Sequence, residues 1–228
     1  MGYDKYLRYE FAASEVDAPS SVLDVGGGIG DFLDRHRISG VIAEMSFDSS
    51  LFGRVRSAQQ FVTYDGNSLP FRDGSFQDVV CLDTLEHVPY PNRKAFLKEI
   101  RRVTAKKVIL TFPTNRQHYV RVLFMIGRLY RLFRITPIME KALQDHFDKG
   151  LPDALEVVQD FMDSGWHVRS QLVFCKTSAL FLVIQQFIPF LKLDRMNAIL
   201  SRWIRRRDGG TPSYMFLTAS RTSTSGAR

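Results

Sequence analysis

The sequence predicts an α/β protein on a doubly wound, mostly parallel seven-stranded sheet, with a helical insertion after the fifth strand. Three observations carry this. Runs that are apolar on both faces alternate with segments of helical periodicity, the pattern of a parallel sheet covered on both sides. The first such run passes straight into "GGGIG", residues Gly26 to Gly30, four glycines in five positions. Acidic residues then follow several of the apolar runs, at the sheet edge where ligands bind in such folds.

The elements follow in order. "SVLDV", from Ser21, reads as a buried strand, and "GDFLDRHR" as the start of a helix. "GVIAEM", Gly40 to Met45, is a second strand ending in an acid, and Phe61 to Tyr64 a third. Val79 to Leu82 form the fourth strand, almost unbroken in hydrophobicity. "NRKAFLKEIRRVT" is helical, with Phe96, Leu97, Ile100 and Val103 on one face. Lys106 to Pro113 make a fifth strand, stopped by its proline. After it, residues 116–150 are a basic, aromatic, helix-like insertion expected to act as a lid. "PDALEVVQDFMDSG", Pro152 to Gly165, returns to ordinary helix, with proline near its start and glycine at its end. "HVRSQLVFC" and "SYMFLTASR" are two late strands, and residues 178–207 between them form a second apolar and basic insertion. No repeat or linker divides the chain, so residues 1–228 read as a single domain.

Composition bounds the function. The chain has 228 residues, 45% hydrophobic and 24% charged, enough for one sizeable core. Its net charge of +7 favours an anionic partner or surface. No run reaches the ~18 apolar residues of a membrane span. The start, "MGYDKYLRYEF", lacks the apolar stretch of a signal peptide and has Tyr6 where a myristoylation motif needs Ser or Thr. A cytoplasmic protein is therefore expected. Cys81 and Cys175 both lie in apolar runs, without a Cys/His cluster, so neither a disulfide framework nor a metal site is expected.

The glycine loop excludes two nucleotide readings. The dinucleotide fingerprint GxGxxG fails because its third glycine would fall on Asp31 or Leu33. A P-loop fails for want of a Lys-Ser/Thr pair. What fits is acid-x-Gly-x-Gly-x-Gly: Asp24, Gly26, Gly28 and Gly30. Glycines here let the backbone touch a ligand where side chains would stand in the way.

That pattern resembles the cofactor loop of class I S-adenosylmethionine-dependent methyltransferases. The stretch "DGNSLPFRDGSFQDVVCLDTLEHV", Asp65 to Val88, is similar to their small-molecule and lipid-type members, departing at Gln77, where that family carries Asp. The resemblance runs from about Ser20 to Asn115, with an echo in "GLPDALEVVQDFMDSGW". It implies a Rossmann-like methyltransferase fold and S-adenosyl-L-methionine as cofactor. Asp24 would hold the ammonium of that cofactor, Glu44 its ribose hydroxyls and Met45 an adenine face. Asp65 would accept from the adenine amine with Gly66 against the ring, and Asp83 would assist.

Methyl transfer asks the protein to align an acceptor and, where needed, to remove its proton. His87 is the candidate general base, with a side chain that titrates near neutrality; Glu86 and Asp83 rank behind it, and a structural role for the Leu-Glu-His turn is the alternative. The Asn/Asp-Pro-Pro-Tyr/Phe motif of amino-group and DNA-base methyltransferases is absent. On a helix, Arg121, Arg128, Arg131 and Arg134 fall on one side and Met125, Ile126, Leu129, Tyr130, Leu132 and Phe133 on the other. The expected acceptor is a small-molecule or lipid-linked metabolite, methylated at oxygen or carbon, with peripheral contact at an anionic membrane. RNA or protein methylation, and a noncatalytic binding module, are the alternatives; the oligomeric state stays open.

Overall fold

The computed structural model describes residues 3–17, 19–45, 59–114, 150–174 and 212–221. Both expected insertions, apart from Gly150, and Cys175 lie outside the described residues.

The described elements are α1 (Tyr3–Glu15), β1 (Val22–Val25), α2 (Asp31–His36), β2 (Gly40–Glu44), β3 (Gln60–Thr63), β4 (Phe76–Leu82), α3 (Arg93–Val103), β5 (Thr104–Pro113), α4 (Ala154–Asp163), β6 (Trp166–Phe174) and β7 (Pro212–Arg221). One seven-stranded sheet has the order β3-β2-β1-β4-β5-β7-β6. The first five strands of that order are parallel, while β7 runs antiparallel to both β5 and β6. The sheet is therefore mixed, and its doubly wound part ends at β5. The chain leaves β1 toward β2 on one side and returns to β4 on the other, so a switch point opens beyond their carboxyl ends.

Alternation along the strands explains the two cores. Leu23, Val79, Cys81, Val108 and Leu110 face a layer made by Phe96, Leu97 and Ile100 of α3 with Val157 and Phe161 of α4. Val22, Val80 and Ile109 face the opposite layer, where Tyr9 and Ala12 of α1 meet Phe32 and Leu33 of α2. Because side chains alternate along a strand, Asp24 falls on the same face as Val22, under α1 and α2. Full burial of the four apolar residues of α3 stabilises by about 1.5–3 kcal/mol each. Asp153 caps α4, its Oδ1 accepting from Leu155 N at 2.8 Å and Glu156 N at 3.1 Å.

Three boundaries differ from expectation. α1 was not anticipated at all. β4 starts at Phe76, three residues early, because Asp78 is buried with Ser20 Oγ at 2.8 Å and Asp17 N at 3.2 Å donating to it. β5 starts at Thr104, whose hydroxyl donates back to Ile100 O at 2.6 Å and joins it directly to α3.

Candidate active site

The glycine loop is shaped by what lies beneath it. Gly26 N donates to Ala43 O at 2.8 Å, turning the chain off β1 toward β2. Gly26 has φ +74, and a Cβ there would stand 2.2 Å from Thr84 Oγ1, so only glycine fits. A Cβ on Gly27 would stand 2.5 Å from Asp24 Cγ, which shows the loop folded down onto that carboxyl. Gly28, at φ +58, has nothing within 4 Å on its Cβ side and faces open space. Gly30 caps α2 with φ 82.

Asp24 is 1% exposed, and among the described residues its Oδ2 has no hydrogen-bond partner. Burial, and then the charge of Glu44, push its carboxyl up to about 7. A buried polar oxygen left open is costly unless something comes to it.

Asp24 belongs to the wall of a cavity of about 450 Å³. The glycine loop forms one side, Lys5, Arg8 and Tyr9 of α1 the other, with Asp83 at the head of β4. Asp83 holds a left-handed φ of 53. Its N donates to Thr111 O at 2.9 Å, and its Oδ2 meets Arg8 Nη2 at 2.7 Å. Arg8 Nη1 also donates to Tyr214 Oη of β7 at 3.1 Å. Burial and the nearby Asp24 push the Tyr9 hydroxyl well above its ordinary range.

Beside the cavity lies a shelf at the ends of β2 and β3. Glu44 Oε2 accepts from Gly28 N at 3.0 Å, which ties the shelf to the loop. Met45 is 60% exposed, and its thioether lies over Gly66, where a Cβ would come 2.9 Å from Met45 Cε. Asp65 Oδ1 accepts from Asn67 N at 2.8 Å and Ser68 N at 2.9 Å, and these bonds hold its carboxyl below the usual carboxylate range.

The sequence-predicted residues thus divide. Asp24, Gly26, Gly28 and Asp83 wall the cavity; Gly30 starts the helix behind it; Glu44, Met45, Asp65 and Gly66 gather on the shelf. His87 stands apart, exposed on the 3-10 turn Leu85–His87 and outside the cavity wall. Its neighbour Glu86 is 2% exposed, with Oε2 unpartnered, and burial and the charge of Asp83 raise its carboxyl well above its ordinary value. Sequence reasoning missed Lys5, Arg8, Tyr9 and Thr84. Tyr6, Tyr9 and Ala12, buried at helical spacing, were the signal for α1.

The arrangement fits S-adenosylmethionine. The open Oδ2 of Asp24 suits an ammonium, the exposed face of Gly28 admits close approach, and the shelf offers acceptors for ribose and adenine. The flat Met45–Gly66 surface suits a ring.

The family model for a methyltransferase domain matches residues 23–112, which run from β1 to the end of β5. A methyltransferase from Archaeoglobus fulgidus that depends on S-adenosylmethionine is similar at 15% identity and TM-score 0.61, covering 95% of this chain and 93% of that one. Magnesium protoporphyrin IX methyltransferase from Synechocystis, solved with bound S-adenosylhomocysteine, is similar at 15% identity and TM-score 0.55, covering 96% of this chain and 82% of that one. Phosphoethanolamine N-methyltransferase 2 of Haemonchus contortus, in complex with phosphomonomethylethanolamine and S-adenosylhomocysteine, is similar at 12% identity and TM-score 0.59, covering 97% of this chain and 53% of that one. No curated protein matches the chain in sequence.

Proposed function

We propose that this chain, whose residues 23–112 match the family model for a methyltransferase domain, is a class I S-adenosylmethionine-dependent methyltransferase whose acceptor is a small-molecule or lipid-linked metabolite, methylated at oxygen or carbon. The observation that carries the donor site is the unpartnered Oδ2 of Asp24, buried under a loop that presents bare backbone at Gly26, Gly27 and Gly28. When bound, the donor supplies a methyl group already activated for in-line displacement.

The residues of the chain position and select. Asp24 holds the ammonium and the Gly26–Gly28 backbone seats the amino-acid end. Glu44 takes the ribose hydroxyls, and Asp65, Gly66 and Met45 frame the adenine. Asp83, clamped by Arg8, shapes the cavity head. His87, exposed on the turn beyond Asp83, is the group in this reading that takes a proton from the acceptor.

The size of the acceptor is supported by the neighbours named for magnesium protoporphyrin IX and phosphoethanolamine, both small molecules. Chemistry away from amino groups is supported by the end of β4, which reads Cys81-Leu82-Asp83-Thr84 in place of an Asn/Asp-Pro-Pro-Tyr/Phe motif. Among the described residues, no helix is long and apolar enough to cross a membrane. Contact with an anionic membrane in this reading belongs to the arginines of residues 116–150, outside the described residues.

The test is transfer of label from methyl-labelled S-adenosylmethionine into a cell extract, followed by fractionation. Label in the organic or small-metabolite fraction is expected. Label confined to RNA or protein overturns the acceptor class. Absence of S-adenosylhomocysteine binding at millimolar ligand overturns the donor site.

A further inference from the structure

The cationic wall of the cavity comes from α1, which lies outside the 23–112 stretch that the family model matches. Resting on the donor reading above, we propose that Lys5 is a specificity-determining residue of this site. Its ammonium takes the carboxylate of the donor's amino-acid end, so the cavity prefers zwitterionic ligands to the same nucleoside without that end.

Among the described residues, two cations line the cavity, and they differ in commitment. Arg8 is held by Asp83 at 2.7 Å and by Tyr214 at 3.1 Å, with its side chain only 10% exposed. Lys5 pairs with Asp31 at 2.6 Å, but the two side chains are 38% and 48% exposed. An ion pair that open to water is weak and solvent-screened, so Lys5 can change partner at little cost. The Lys5 ammonium lies 5.2 Å from the Tyr9 ring centroid, which keeps the side chain along the wall.

The opposite charge is already placed. Asp24 lies beneath the loop with one oxygen buried and unpartnered, while Asp31 and Asp83 add two more carboxyl groups to the same wall. A ligand carboxylate entering among three acidic side chains is repelled unless a cation meets it. Lys5 is the wall cation that can turn to it. The cavity then reads as a charge pair, Asp24 for the ammonium and Lys5 for the carboxylate.

The test compares S-adenosylhomocysteine with methylthioadenosine, which keeps the adenosine and thioether and lacks the amino-acid end. Both are titrated calorimetrically into the full chain, as wild type, Lys5→Gln and Asp31→Asn. Lys5→Gln is expected to weaken S-adenosylhomocysteine on the order of tenfold while methylthioadenosine stays within about twofold. Asp31→Asn removes the competing partner and is expected to tighten S-adenosylhomocysteine severalfold. If both variants weaken both ligands alike, the pair only docks α1 and the proposal falls. It falls equally if Lys5→Gln changes neither ligand. A wild-type protein that binds neither ligand overturns the donor reading itself; every other outcome leaves that reading standing.

Discussion

Arg8 and Asp83 meet at 2.7 Å, an ion pair that fastens α1 to the end of β4 across the head of the cavity. Asp83 is also held in the left-handed region and bonded through its N to Thr111, so its carboxyl has one direction to point. Removing Arg8 leaves that carboxylate beside the buried Glu86 without its counter-charge. Arg8→Met is expected to destabilise the ligand-free protein by about 2–4 kcal/mol in urea denaturation, below the full range for a wholly buried pair because Asp83 is partly solvated. The double variant with Asp83→Asn should recover part of the loss; a double variant worse than both singles would contradict the assignment.

Asp24 makes stability and donor affinity respond to pH in opposite directions. Its folded-state carboxyl titrates at about 7 against an ordinary 3.8, so between those values the folded chain holds a proton that the unfolded chain has released. Stability from this group therefore falls as pH rises from about 4 to 7, with a ceiling of about 4 kcal/mol. Asp24→Asn should abolish that slope, read as the wild-type minus variant difference in unfolding free energy across pH. Ammonium binding requires the ionised form, whose fraction rises from about a tenth at pH 6 to about nine tenths at pH 8. S-adenosylhomocysteine should bind the wild type about tenfold more tightly at pH 8 than at pH 6.

The glycines of the loop should separate into structural and ligand-facing positions. Gly26→Ala drives a Cβ into Thr84 as well as straining a positive φ. It should lower the thermal midpoint more than Gly28→Ala, which carries only the dihedral cost of about 1–2 kcal/mol. Gly28→Val should fold, because nothing lies within 4 Å on its Cβ side, and on the proposed donor reading it should lose donor binding. Retained affinity in folded Gly28→Val would show that the loop is not the donor seat.

The cap of α4 offers a local test of the second layer. Asp153 Oδ1 satisfies two otherwise unpaired amides at the start of that helix. Asp153→Ala should cost about 1 kcal/mol in chemical denaturation, and Asp153→Asn or Asp153→Ser less.

Much of this architecture was legible in the residues. Val79 to Leu82 and Val108 to Leu110 are apolar on both faces, which only a covered parallel sheet rewards, so the central strands could be read from hydrophobicity alone. The loop acid and glycines were legible because their spacing follows from a tight turn off β1. α1 was not, because Lys5 and Arg8 sit on its inward side and break the apolar stripe by which such helices are recognised. Its cations are matched by Asp31 and Asp83, partners distant in sequence that no local window connects. The polar start of β4 was obscured for a similar reason, since the buried Asp78 side chain accepts from Asp17 N and Ser20 Oγ, groups distant in sequence. The exposure of His87 beyond the cavity wall could be seen only once the turn was folded, and its role as a base stays a proposal.

The hydrogen bond from Arg8 to Tyr214 spans 206 positions of chain. Phe11 stacks on Phe216 with centroids 4.7 Å apart, and Thr218 donates to Glu15 at 3.2 Å, so α1 rests on β7 along its length. Contacts that close so large a loop form late, after the local strands and helices have gathered. α1 is made well before β7 and settles only once that strand is present. The cavity wall that α1 supplies, Lys5, Arg8 and Tyr9, thus depends on a strand at the far end of the described chain.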